Sequence, residues 1–581
     1  MPTFEIAEVN GGVIPPNERS PWNLESSQWQ SGKNIIFTKA GVQPFWGFTD
    51  LWPSYSFPQA ILWISNIEDT ILFLGKTKIF YSFNGAEPVE TKYTQVLGQS
   101  NEGNTYTFSS HIYSMDAGTV KIKYIRGGAT KYAWDKDSDG KLYEDGGANQ
   151  IGTVNYTGET NQFSLDFSSV GAPDNETDIT LSETKFTLKT EVALWKEFCT
   201  PNYIGFTSSI YKPLKWDNAN SIWKTITDAP KARVMWYQDR HLLAAGGSQG
   251  ENKLAWSDLD DPENWSTGES GYGFLDLDVA DTIQLVTNIG GIFYIIAQRK
   301  SWMIQYIGYP GYWSVKPVLG FLGALSPNAI AEFGDEAILF MNDGAYTTTG
   351  MNIEPIENGL LHTLYEEINP NKLERFFSIF DEYTKTVFFF YNKDGGDYTE
   401  KTLLYNYDIN VWSTLDIGKI QAAGFWRKTQ DTFIDNVDII IDECNTLIDA
   451  TTFESNFPIL IFVKNDGHCY ELDYNKVSEC AFLSGYIPLE ENKIAQRRKL
   501  ITDIQLKGSG RLKCKIGYMK YINSEIVWSD AQEYTFGEKE ELEWATKDIE
   551  GKYMVLYFFT DSPMAFELTG YVFDYQYVGE E

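Results

Sequence analysis

A chain of 581 residues exceeds what one hydrophobic core supports, so several domains or one large repeat architecture are expected. Its 80 acidic residues against 47 basic ones leave a net charge of −33, a field that repels nucleic acid at long range and excludes a conventional DNA-binding module; the same acidity also serves solubility. Aromatic residues reach 15%, with 36 Phe, 35 Tyr and 18 Trp, a composition that favours pleated, half-buried surfaces over helices.

Residues 1–57 read as an N-terminal arm and docking segment, in which Pro15-Pro16 and Trp22 look exposed and available to a partner. The stretch MPTFEIAEVNGGVIPPNERSPW has neither the basic nor the apolar region of a secretory signal, and no apolar run in the chain approaches the roughly 18 residues of a membrane helix. A repeating texture then sets in: apolar strand, short gap, second apolar strand, acidic or Asn-Gly turn. It appears at Thr70 to Gly85, Tyr203 to Trp223, Arg240 to Trp265, Gly291 to Tyr306, Ala337 to Gly350, Thr386 to Trp412 and, more weakly, Ile459 to Tyr474. Trp223, Trp265 and Trp313 stand 42 and 48 residues apart, near the roughly 40 to 50 residues of a four-stranded propeller blade. The expected fold is all-β, a β-propeller of six or seven blades whose aromatic excess fills the space between blades. Turns at Asn84-Gly85, Asp343-Gly344 and Asp394-Gly395 use residues that tolerate positive φ.

Residues 58–90 give the first blade and 191–480 the rest of the propeller. Between them residues 91–190 are rich in Thr, Ser, Asn and Gly, with alternating strands such as Thr119 to Ile125, and predict an inserted β-sandwich. Residues 481–581 alternate with period two and predict a C-terminal β-sandwich. Helix signals are confined to Gly359 to Ile368 and Pro370 to Phe380, with Pro370 placed to open the second.

Catalytic chemistry is hard to find. His111, His241, His362 and His468 lack partners at metal-ligand spacing, and His468 beside Cys469 points to the opposite strand face. Five cysteines (Cys199, Cys444, Cys469, Cys480, Cys514) without CxxC spacing suit buried thiols in a reducing cytoplasm. Gly246-Gly247-Ser248-Gln249-Gly250 matches GxSxG but precedes a strand rather than the helix a nucleophile elbow needs, so no enzyme is expected. Asp135, Asp137 and Asp139, alternating before Gly140, have the spacing of a calcium loop, yet Gly146 stands where a bidentate Glu belongs; calcium or a solvated hairpin both fit, and no other cofactor is implied. The basic run Lys493 to Lys499 fits either an intersubunit salt-bridge patch or a phosphate backbone.

From Ala229 to Gly350 the chain resembles the tail nozzle, or packaged-DNA stabilisation, proteins of short-tailed bacteriophages. The resemblance lies in Asp239-Arg240, Trp256-Ser257-Asp258 with Asp261-Pro262 and Trp265, Lys300-Ser301, Ser326-Pro327, and Asp343-Gly344 through Gly350, in the family's order. Asn34 to Phe48 is similar to the family's opening segment, and Gly152 to Phe167 to inserted domains of phage structural proteins. The resemblance implies a virion tail component assembled in the host bacterial cytoplasm, self-associating into a ring, typically a hexamer. Its partners would be the portal and adaptor proteins, tail fibre or other tail proteins, and packaged DNA that is retained and then conducted without sequence-specific binding. The matched residues are expected to be fold signatures. An alternative is a receptor- or glycan-binding tail module. A sialidase-like propeller is weaker, because Ser257-Asp258-Leu259-Asp260 departs from an SxDxGxxxW box by one position and lacks its Gly.

Overall fold

The computed structural model describes residues 3–577 except 26, 68, 102, 110–113, 157–161, 189–194, 248–249, 267–272, 278–280, 310, 319–322, 334–335, 351, 397, 427–457, 488–498, 521–523 and 538–549. Among the described residues strands take 57% and helix 3%, and the fold is all-β: a β-propeller with an inserted β domain and a C-terminal β-sandwich. The chain divides into two compact units. One comprises Met1–Leu51, Asn328–Ile420 and Cys469–Glu581; the other comprises Trp52–Pro327 and Gln421–His468.

In the second unit four antiparallel meanders of four strands follow one another. They span Ile61–Ile67 to Val89–Glu90, Lys196–Cys199 to Ile222–Thr225, Ala232–Gln238 to Gly273–Asp276, and Ile283–Ile289 to Tyr312–Pro317. The first unit holds two more, Ile330–Phe333 to Ile353–Pro355 and Phe377–Asp381 to Val411–Leu415. Strands of the same kind remain: Ile459–Lys464 in the second unit, and in the first the antiparallel pair Cys469–Val477 with Trp46–Asp50, in register at Leu472↔Phe48. Each repeat in the sequence covers the second and third strands of such a group, and Tyr203 to Trp223 and Thr386 to Trp412 reach the fourth. The second strands are buried on both faces, as in Thr70–Gly75 and Thr386–Tyr391, so they read as unbroken apolar runs. Trp223 and Trp313 both lie on fourth strands, whereas Trp265 lies in a loop ahead of one.

The insert is one large sheet with a separate short pair, Ser114–Met115 with Phe186–Thr187. Its strands run from Thr105–Ser109 at one end to Lys92–Gln99 at the other, and alternation drives Phe163, Leu165, Ile122 and Tyr124 inward. Phe167 closes the core against Tyr106 and Tyr124, at ring separations of 5.9 and 4.8 Å. The insert is not separate from the blades, because Lys92–Gln99 pairs in parallel with Ile222–Thr225 and continues the sheet into that meander.

In the first unit the 21-residue strand Lys499–Met519 serves two sheets. Its first half pairs with Phe566–Tyr577 and its second with Tyr553–Phe559. At Gly510, where the pairing with Phe566–Tyr577 ends, φ is 84° and a Cβ would sit 2.1 Å from the Ala565 carbonyl oxygen, so a side chain there is excluded. The N-terminal arm is not a free docking segment. Thr3–Ile6 and Val42–Pro44 pair with Phe566–Tyr577, Trp29–Lys33 pairs with Ala481–Ser484, and Trp22 packs 4.4 Å from both Tyr486 and Tyr553. Its aromatics bury because its strands complete the C-terminal sheets. The second predicted helix is also corrected: Gly359–Glu367 is helical, but Pro370–Arg375 is 3₁₀ and broken at Lys372 (φ −134°, ψ 28°), and a strand follows. In Phe377–Asp381 the period-two burial of Phe377, Ile379 and Asp381 overrides the helical pattern.

Candidate functional site

The densest set of sequence-singled residues is the corner between Asp239 and Trp265. Gln238 and His241 face each other across a two-residue hairpin, and both intervening residues, Asp239 and Arg240, adopt positive φ (44° and 68°). Such a turn matches the twist of the strands but strains ordinary L-residues. The following segment supports it. The Arg240 guanidinium grips both carboxylate oxygens of Asp260, and the Arg240 carbonyl accepts from Asp260 N at 2.9 Å.

Directly beneath, the buried Ser257 hydroxyl accepts from Leu242 N at 2.9 Å and donates to the Asp258 carbonyl at 3.0 Å. His241, fully buried, donates from Nδ1 to the Ser257 carbonyl at 2.8 Å, which fixes its tautomer. Its Nε2 has no hydrogen-bond partner among the described residues, and rings of Tyr306, Tyr312 and Trp313 lie within 5.7 to 6.1 Å. Burial holds the imidazole below its ordinary value of 6.5, so it is neutral and unsuited to act as an acid near pH 7.

The acidic letters of the motif turn the chain. Asp258 accepts from Leu259 N at 2.6 Å, and Asp261 accepts from Glu263 N at 3.1 Å, while Trp265 Nε1 donates to the Pro262 carbonyl at 2.9 Å. Trp265 packs with Phe198, Ile226 and Met235, and Trp256 packs in a second cluster with Leu243, Trp302 and Trp313. The corner is therefore a fold lock. His241 and Asp260 are named from the sequence without this role and Asn264 is not named, although the positive φ at Asp239-Arg240 requires a partner nearby.

Farther along, Ser326 and Pro327 are buried, and the Pro327 carbonyl accepts from Lys196 Nζ. Asp343 accepts from the Tyr346 hydroxyl at 2.8 Å, the Gly344 carbonyl accepts from Met341 N at 2.9 Å, and Gly350 has a φ of 93°. These too are turn residues.

The structure does not assemble the calcium loop. The Asp135 carboxylate turns inward to accept from the Tyr156 hydroxyl, Asp139 turns back to Lys141 N at 2.9 Å and Lys141 Nζ at 3.0 Å, and Asp137 is exposed. Among the described residues no group of three His, Cys, Asp or Glu is placed to hold a metal. Alternate spacing points successive carboxylates apart here because Ser138 and Gly140 take positive φ and close a hairpin.

Ser248 of the GxSxG stretch lies outside the described residues, but Gly247 pairs with Gly250, so two strands flank it as in a hairpin. Cys469 is buried, and burial raises its thiol well above the ordinary value, which leaves it protonated. Cys480 and Cys514 are likewise buried free thiols. His111, Cys444 and the basic run Lys493 to Arg498 lie outside the described residues. No described helix is long and apolar enough to cross a membrane.

No family model matches the chain, and no curated protein matches it. Among solved structures, the chain is similar to the N-terminal domain of Nup159 (8% identity, TM-score 0.28, 66% of this chain and 98% of that one). It is also similar to PorZ, an essential surface component of the type-IX secretion system of Porphyromonas gingivalis (8% identity, TM-score 0.27, 90% and 83%). A third is BBS1N from its complex with ARL6DN (10% identity, TM-score 0.29, 65% and 98%).

Proposed function

We propose that this chain is a structural component of a short bacteriophage tail, a nozzle or hub subunit that joins others of its kind into a ring below the portal and adaptor. One observation carries the reading. The residues that match the nozzle family between Asp239 and Trp265 form a single hydrogen-bonded corner, so this stretch of the resemblance is one folded corner rather than scattered letters. Two reactive candidates in the sequence support a non-catalytic role: the His241 imidazole is shut away from solvent inside the corner, and the Cys469 thiol is buried and protonated.

In this reading the chain's charge governs DNA passage. Duplex DNA carries one charge per roughly 1.7 Å, and every cationic contact adds salt-dependent adhesion. Six chains at −33 each carry −198, so the conduit repels phosphate and DNA slides, while retention before infection is steric. Negative-stain images of the full chain, alone and mixed with the portal–adaptor complex from the same phage, test the assignment. A ring capping that complex is expected; a chain that stays monomeric in both samples overturns the proposal.

A further inference from the structure

One face of the insert reverses the sign of the chain. On the strands Lys121–Arg126, Ala129–Trp134 and Lys141–Glu144, residues such as Ile122, Ala133 and Leu142 fill the core, so alternation puts Lys121, Lys123, Tyr132, Trp134, Lys141 and Tyr143 on the outer face. Register sets Lys121 beside Trp134, Lys123 beside Tyr132 and Trp134 beside Tyr143. No acid occupies an outward position on these three strands.

Two of the cations are left unmatched. Lys141 pairs with Asp139 at 3.0 Å, and Lys131, one position before Tyr132, pairs with Asp145 at 2.8 Å. Lys121 and Lys123 have no acid within ion-pair distance among the described residues; the Lys121 ammonium lies 4.5 Å over the Trp134 ring, and Lys123 is exposed. Like charges two positions apart on one face repel, and the chain's own acids, 80 against 47 bases, do not come to them. The rings are open as well. Tyr132 is 38% exposed, and neither Tyr132 nor Tyr143 has a ring partner or a hydroxyl hydrogen bond among the described residues. Exposed Tyr and Trp are enriched where proteins meet.

Charge decides what docks there. Two copies at −33 each repel, so contact between them needs a surface where the sign reverses, and the acidic surface that complements this face is what every further copy presents. A nucleic acid strand would carry its phosphates past the face onto the acidic remainder. The face cannot pair with itself, because a two-fold contact would set Lys121 and Lys123 against their own copies. We propose that the outer face of the insert docks on an acidic surface of a second copy of this chain, head to tail. Head-to-tail contacts build rings or filaments rather than stopping at a dimer. The inference rests on the tail reading for the ring itself and adds the face that builds it.

Mass photometry of the full chain, alone and with the portal–adaptor complex, tests it on wild type, Lys121→Glu/Lys123→Glu and Tyr132→Ala, with folding checked by circular dichroism. Wild-type rings should weaken as salt rises from about 50 to about 500 mM. The double variant should dissociate at a concentration at least about tenfold higher, and Tyr132→Ala at one severalfold higher. Lys123→Glu alone, at an exposed position, keeps the test if the double variant misfolds. In an equal mixture the double variant still offers its acidic surface, so it should end growing arcs and leave short open oligomers. Folded variants that form rings as readily as wild type, or wild-type rings undisturbed in the mixture, overturn this inference and leave the tail reading standing. A wild-type chain that stays monomeric in both samples overturns the two together.

Discussion

Two turns in the same unit share a backbone class and differ in chemistry. Phe83-Asn84-Gly85-Ala86 and Gln238-Asp239-Arg240-His241 both place their two central residues at positive φ, 49° and 73° in the first, 44° and 68° in the second. Asn-Gly tolerates this conformation with no outside help. Arg240 does not: a residue of its kind there costs about 1 to 2 kcal/mol. The second turn persists because Asp260 binds Arg240 through backbone and side chain, and Ser257 and Trp265 hold the segment that carries Asp260. An easy turn says nothing about the rest of the chain. A strained one reports on residues twenty positions away.

The comparison is broken most readily at its anchor. Trp265→Ala removes a buried indole and should cost about 3 to 5 kcal/mol, read as lost hydrogen-exchange protection across Ala232–Asp276. Protection retained there would mean the corner stands without its anchor. Ser257→Ala strips the acceptor from the buried Leu242 N–H and should cost about 1 to 3 kcal/mol in the same measurement.

The turns themselves sharpen the contrast through opposite signs. Arg240→Gly relieves the positive φ and gives up an ion pair whose partners are mostly exposed and worth at most about 1 kcal/mol, so stability should rise slightly. Gly85→Ala should lower it by about 1 kcal/mol, because φ is 73° and a Cβ would sit 2.9 Å from Trp426. Losses in both variants would show that the Arg240–Asp260 pair outweighs backbone strain.

The smallest effect is on pH. His241 titrates below 6.5 in the folded corner, so its contribution is complete above 6.5 and is lost as pH falls through the lowered folded value. Denaturation midpoints at pH 7 and pH 5 should differ less in His241→Gln than in the parent; equal differences would remove His241 from the account.

The second strands of the meanders were legible because burial on both faces leaves unbroken apolar runs such as Thr386–Tyr391. Outer strands such as Val89–Glu90 and Ile353–Pro355 are two or three residues long and carry no period to detect. The arm misled because Trp22 and Trp29 are followed by turns and polar residues, while their partners, Tyr486, Tyr553 and Phe482, lie more than four hundred positions ahead. The motif residues could be singled out as letters, but their role as a lock needed His241 and Asp260, which only the folded hairpin brings together.

The pairing of Trp46–Asp50 with Cys469–Val477 has a temporal consequence. A ribosome adding roughly 5 to 20 residues per second delivers the partner strand some 20 to 80 s after the first has emerged. Throughout that interval the edge of Trp46–Asp50 carries unpaired backbone groups, the kind of edge on which chains aggregate. Thr3–Ile6 waits longer still, for Tyr571–Asp574. Synthesis rate and chaperone supply should therefore limit the yield of native protein more than its final stability does, and slower translation should lower yield by prolonging the exposure of that edge.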